Sequence, residues 1–291
     1  MGKVLIAMSG GVDSSVAAYL LKHSGWDCVG ATMTLYRNED IGISRSRTCC
    51  SLEDVEDARS VAFRLRIPYY VFNFSDEFRR QVMDRFADAY GQGRTPNPCI
   101  DCNRYLKFRH LYDRAALLGC DTIATGHYAR IERENGRYLL KKALGASKDQ
   151  SYVLYMLTQE QLAHTRFPLG TLHKTEAREL AGRLGFFNAR KPDSQDICFV
   201  PDGDYAAFIR RHTGKADALG DFVDESGRIL GRHRGIAHYT IGQRKGLGIP
   251  SNRLLYVKAI DPKSNQVVLS GNDALFSQQL TGENFNWIAW E

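Results

Sequence analysis

Residues 9–15 read SGGVDSS, directly after the apolar run VLIAM at 4–8 and at the head of VDSSVAAYLLKH at 12–23. The apolar run reads as a buried strand, and Val12, Val16 and Leu20 recur at helical spacing. The stretch is therefore a glycine turn between a strand and a helix. Gly10 and Gly11 allow backbone conformations that other residues avoid. Successive amides in such a turn form a concave anion site, and the following helix adds its positive end. The hydroxyls of Ser14 and Ser15 can donate to phosphate oxygens. No Gly-Lys-Ser/Thr follows, which excludes the Walker loop, and the glycines do not fit G-x-G-x-x-G. Asp13 adds a carboxylate beside this cradle, a placement that suits Mg2+ bridging to pyrophosphate. A ligand-free, capped turn is the plainer reading of SGG by itself.

Working outward, CVGATMTL at 28–35, PYYVFNF at 68–74 and DTIAT at 121–125 read as strands. Helices are expected at 53–65, about 76–90 and about 103–118. This alternation predicts an α/β fold, a Rossmann-like parallel sheet with helices on both faces. After residue 205 the texture changes to β-branched residues and turn formers. DESG at 224–227 and DPKSN at 261–265 read as hairpin turns. The expected division is a catalytic domain at 1–204, a small β-rich module at 205–270 and, at 271–291, the start of a further β element.

The 291 residues are 43% hydrophobic and 25% charged, enough for a full core. No apolar run approaches the roughly 18 residues of a transmembrane helix, and the N-terminal run is too short for a secretory signal. A cytoplasmic enzyme with no membrane partner is expected. The net charge of +6 is compatible with a polyanionic partner.

The seven cysteines are at 28, 49, 50, 99, 102, 120 and 198. Cys28 and Cys120 sit in or beside apolar strands and read as core; Cys49 and Cys50 read as a loop feature without assigned function. In GRTPNPCIDCN at 93–103, prolines at 96 and 98 argue against helix. The segment reads as a stiff extended loop carrying Cys99 and Cys102. From the residues alone it is half a zinc site, a redox pair, a reactive sulfur or a turn.

SGGVDSS resembles the PP-loop of the N-type ATP pyrophosphatase superfamily, whose members split ATP between its α and β phosphates. Five further segments extend the likeness: RTPNPCIDCNRYLKF at 94–108, ATGHYAR at 124–130, KDQSYVLY at 148–155, KPDSQDICF at 191–199 and YTIGQRKGLGI at 239–249. Together, in this order and from residue 1 to about 270, they resemble the tRNA-specific 2-thiouridylases.

That resemblance implies adenylation of the position-2 carbonyl oxygen of a wobble uridine, then delivery of sulfur from a cysteine persulfide. Cys198 would carry the persulfide and Cys102 would be its partner, the two ending as a disulfide. Ala7, Met8, Ser9, Gly10, Gly11, Val12, Asp13 and Ser14 would hold ATP, with Met33 and Gly126 at the adenosine. Asn97, Pro98 and Cys99 would meet the target base; His127, Lys148, Asp149 and Gln150 would contact tRNA. Arg104, Lys107, Arg190 and Lys191 neighbour the cysteines in sequence, where positive charge favours a thiolate. The expected cofactors are ATP and Mg2+; the partners are tRNA and a cysteine desulfurase or sulfur-relay protein. The family pattern often has Asp where this chain has Cys99. That leaves an alternative in which Cys99, Cys102 and Cys198 hold an iron–sulfur cluster. Another PP-loop adenylating synthetase is a more distant alternative, as is an RNA- or metal-binding module with a decayed nucleotide site.

Overall fold

The computed structural model describes residues 2–41, 52–193 and 196–290. Cys49 and Cys50 lie outside this set. Its central sheet contains β1 (Lys3–Ala7), β2 (Asp27–Thr34), β3 (Tyr69–Asn73) and β4 (Thr122–Ala124). A hairpin follows, β5 (Ala129–Glu134) with β6 (Arg137–Lys142), and β7 (Thr165–Arg166) then completes the sheet. The order is β3-β2-β1-β4-β7, and every pairing in it is parallel.

Alternation within β1 explains the layers. Val4 and Ile6 pack with α1 (Val12–His23), α2 (Leu52–Arg64) and the Lys174–Arg183 helix. Leu5 faces the other way, into a cluster with residues of the 75–91 and 98–117 helices. Both faces are covered, so the strand reads as one continuous apolar run rather than an alternating one. The α/β expectation holds. Chain order reverses at β1, with β2 on one side and β4 on the other, and such a switch point opens a crevice at the carboxyl ends of the strands.

Two expectations differ from the structure, and one element was not expected. The segment at 98–103 is helix, not extended loop. Pro98 occupies the first helical position, where its missing N–H is no loss, and the Asn97 side chain caps the turn by accepting from the Cys99 amide at 3.1 Å. Helix continues through a π-helical stretch at Cys102–His110 and on through Leu111–Leu117. Cys102 therefore lies inside the helix and not ahead of it. The β5–β6 hairpin escaped the sequence reading although its turn is Asn135-Gly136, with φ values of 48° and 83°, the pair that a two-residue hairpin favours. Finally, among the described residues 271–290 contain a 3-10 turn at Asn272–Leu275 but no strand. They pack back irregularly, with Asn286 donating to the carbonyls of Tyr155 and Leu157.

The region read as β-rich opens with a helix, Tyr205–Thr213, and then forms β8 (Gly220–Val223), β9 (Ile229–His233), β10 (Tyr256–Asp261) and β11 (Gln266–Ser270). They make a mixed sheet of order β10-β11-β8-β9 around Phe222, Tyr239, Val257, Val267 and Leu269. Both expected hairpins are present. In the first, the Asp224 carboxylate accepts from the amides of Ser226 and Arg228. His212 meets Asp84 at 2.6 Å, joining the Tyr205–Thr213 helix to the 75–91 helix. Among the described residues no helix is long and apolar enough to cross a membrane.

Candidate active site

A cavity of about 600 Å3 opens at the carboxyl ends of β1 and β2 and beside the turn after β4. Nine of the ten residues expected at ATP line it: Ala7, Met8, Ser9, Gly11, Val12, Asp13, Ser14, Met33 and Gly126. Gly10 lies behind them. Its φ is +74°, and a Cβ there would stand 2.4 Å from the Asp54 carbonyl oxygen, so only glycine fits both the backbone and the space. The loop is fixed from inside. Ser14 Oγ accepts from the Ser9 amide and donates to the Gly11 carbonyl. Buried Asn188 donates to the Gly10 carbonyl and to Ser15 Oγ. Ser15 is thus committed inward, whereas Ser14 lines the cavity. Gly126 presses on the loop, its missing Cβ being only 2.8 Å from the Ser14 amide.

Asp13 is not a lone carboxylate. Lys174 donates to its two oxygens at 2.8 and 2.7 Å, and Tyr128 Oη donates to Oδ1 at 2.8 Å. Burial and the Asp13 charge push the Tyr128 phenol up, so it stays a donor. Lys174 also pairs with Asp193 at 2.7 Å. Lys148 and Arg178 meet the same Asp193 at 3.0 and 2.7 Å. Partial burial pushes the Asp193 carboxyl up, but the hydrogen bonds and charges of Lys174 and Lys148 outweigh it and hold the group down at about 2. Sequence reading missed Lys174, and it quoted Tyr128 and Asp193 without a role. Lys174 and Tyr128 reach Asp13 across 161 and 115 residues, and no local pattern announces it.

Both expected sulfur residues line this cavity, and both are half-buried. Cys102 sits in the 98–117 helix, which Asn103 ties to the Ser151–Val153 turn through the Val153 carbonyl. Cys198 is placed by its neighbours. Its carbonyl accepts from Tyr36 Oη at 2.6 Å. The adjacent Phe199 is a peg in the core, edge-on to Phe78 and Phe86 at 5.5 and 5.3 Å. Lys191, in the same segment, is held by Asp54 and Asp57, each at 2.6 Å. Of the four cations expected near the thiols, Lys107 and Lys191 line the cavity.

The residues expected at tRNA divide. Pro98, Cys99, His127, Lys148, Asp149 and Gln150 line the cavity, whereas Asn97 acts as the helix cap. Cys99 is exposed. His127 is buried, with Nδ1 at 2.6 Å from Thr125 Oγ1 and its ring against Phe108 and Phe167. Burial first, then the charge of Lys107, pushes its pKa well down. His127 is thus a neutral imidazole in the cavity wall. Asp149 and Gln150 brace the backbone: Asp149 accepts from the Ala143 amide and Gln150 from the Tyr128 amide. Tyr152, 63% exposed, stands at the mouth of the same cavity.

Among the described residues no three His, Cys, Asp or Glu side chains converge so as to hold a metal ion. Cys99, Cys102 and Cys198 line the same cavity. Mg2+ fits better: one loop carboxylate, Asp13, is enough for a cation held chiefly by phosphate oxygens.

A family model described as "tRNA methyl transferase HUP domain" matches residues 2–202, and one described as "tRNA methyl transferase PRC-barrel domain" matches 206–271. The tRNA-specific 2-thiouridylase MnmA of Lachnoclostridium phytofermentans is 54% identical over 293 residues, covering 100% of this chain and 82% of the relative. That of Clostridioides difficile is 52% identical, covering 99% and 80%. Among solved structures, a 4-thiouridine synthetase–RNA complex with bound ATP aligns at 23% identity with a TM-score of 0.46, over 69% of this chain and 45% of that one. The family descriptions speak of methyl transfer and the relatives' names of thiolation. The two thiols on one cavity accord with the names. At this identity and coverage, the chain belongs to the family of the tRNA-specific 2-thiouridylases.

Proposed function

We propose that this chain is an ATP-dependent tRNA 2-thiouridylase acting in the cytoplasm. The observation that carries the reading is that Cys102 and Cys198 line the cavity that also exposes the SGGVDSS loop. Adenylating loop and sulfur chemistry therefore meet on one substrate.

The steps follow from that arrangement. ATP lies with its phosphates on the amides of residues 10–14 and its adenosine toward Met33 and Gly126. The uridine enters past Pro98 and Cys99, unstacked from the anticodon loop, and Tyr152 offers a face for stacking at the mouth. The uridine O2 attacks the α-phosphorus, and pyrophosphate leaves. Mg2+, when bound, screens the charge on the phosphate oxygens, with Asp13 as its protein ligand. A persulfide on Cys198, loaded by a cysteine desulfurase or sulfur-relay protein, attacks C2 through its terminal sulfur, and AMP leaves with the former O2. The Cys102 thiolate then attacks Cys198 Sγ. The sulfur–sulfur bond breaks, the electron pair stays on the thiouridine sulfur, and a Cys102–Cys198 disulfide forms. A thiol reductant restores both cysteines. No step here uses an iron–sulfur cluster.

The test separates the two half-reactions. Cys198→Ser should abolish 2-thiouridine in digested tRNA while tRNA-dependent pyrophosphate release persists. Thiolation that survives the substitution removes Cys198 as the carrier. Absence of tRNA-dependent pyrophosphate release in the unsubstituted protein removes the adenylation chemistry itself.

A further inference from the structure

Lys174 is the first residue of the Lys174–Arg183 helix, yet its ammonium reaches into the glycine-loop cradle. It bonds to both oxygens of Asp13 and to Asp193, it lies 5.9 Å from the Tyr128 ring centroid, and its side chain is only 13% exposed. The cation is clamped by two carboxylates and an aromatic face, against the entropy of a long side chain.

Charge gives the clamp a reason. An unpaired Asp13 carboxylate on a loop built to attract anions would repel a polyphosphate, and Lys174 neutralises it. Three other lysines line the cavity: Lys191 is paired with Asp54 and Asp57, Lys148 with Asp193, and Lys107 lies on the 98–117 helix. Among the described residues, Lys174 is the lysine whose ion pair is made with the loop itself. A nucleotide triphosphate brings more negative charge to the cradle than Asp13 holds, and charge-assisted bonds to phosphate are strong.

We propose that Lys174 is a ligand of the nucleotide's β- and γ-phosphates, kept in place by Asp13 and transferred from it to the phosphate oxygens when nucleotide binds. Asp193 keeps hold of the ammonium throughout. Asp13 is thereby released to face Mg2+. Because Asp193 belongs to the segment that carries Cys198, one cation then touches both the pyrophosphate leaving group and the sulfur-bearing segment. This rests on the reading of the cavity as an ATP site.

The experiment compares binding of ATP and of AMP, each with Mg2+, to the unsubstituted protein, Lys174→Met and Lys174→Arg by calorimetry, with a melting curve for each. Lys174→Met should weaken ATP on the order of tenfold to a hundredfold, the scale of a lost charge-assisted bond, and leave AMP nearly unchanged. Lys174→Arg should recover part of the loss. A lysine that only pins its helix would weaken ATP and AMP alike and lower the melting temperature; that result, or no change in either nucleotide, overturns the assignment. Failure of the unsubstituted protein to bind ATP would instead overturn the ATP site, and this proposal with it.

Discussion

Gly10 and His127 show how single residues set the limits of the site. A Cβ on Gly10 would meet the Asp54 backbone in a conformation with φ +74°. Gly10→Ala should cost about 1–3 kcal/mol of stability and displace the loop amides, raising the KM for ATP; an unchanged KM would contradict the cradle. Gly126→Ala pushes on the Ser14 amide and should weaken ATP without unfolding the sheet, as equilibrium binding would register. For His127 the effect is on pH. Its folded pKa lies well below the ordinary 6.5, so the unfolded chain binds a proton that the folded chain refuses. Stability is therefore full above about pH 6.5 and is lost as pH falls below it. Between about pH 7.5 and about pH 5.5, the stability lost should be smaller in His127→Asn, by up to ~1.4 kcal/mol per pH unit below 6.5. Urea unfolding at the two pH values reads the difference, and equal losses in both proteins would remove His127 from the acid response.

At the scale of elements, the sulfur residues stand on supports that can be tested apart from them. Asn97 caps the helix that carries Cys99 and Cys102. Asn97→Ala should cost about 1 kcal/mol and slow thiolation more than pyrophosphate release. Tyr36→Phe removes the bond to the Cys198 carbonyl and should show the same split in a side-by-side assay; equal slowing of both half-reactions would argue against a role specific to sulfur transfer. These supports also show where sequence reading stops. The β1–loop–α1 unit was legible because apolar periodicity, glycines and serines are all local. The body of the 98–117 helix was legible, but its first turn at 98–102 was not, because two prolines argue against helix although proline suits a first helical turn. The Asn135-Gly136 hairpin carried a local signal that was passed over. The roles of Lys174, Tyr128 and Asp193 carried none, since Lys174 and Tyr128 meet Asp13, and Asp193 meets Lys174, only once the sheet has formed. His127 had a polar name and a motif around it, but its burial by Phe108 and Phe167 is a tertiary fact.

Across the whole molecule, the cavity belongs to the parallel sheet and its covering helices. The Tyr205–Thr213 helix ahead of the mixed sheet is tied to the 75–91 helix through His212 and Asp84. With a net charge of +6, contact with a polyanion should weaken steeply with salt, whereas ATP, held by a built cradle, should respond less. Raising ionic strength should therefore lift the KM for tRNA well before that for ATP, and parallel changes would contradict a separate electrostatic tRNA surface. The most direct measurement is nucleoside analysis of tRNA after incubation with this protein, ATP, Mg2+ and a persulfide donor. The account predicts 2-thiouridine formed only when ATP is present, with AMP and pyrophosphate released alongside it. Unmodified uridine at the wobble position, or a methylated uridine formed with a methyl donor in place of ATP, would contradict it.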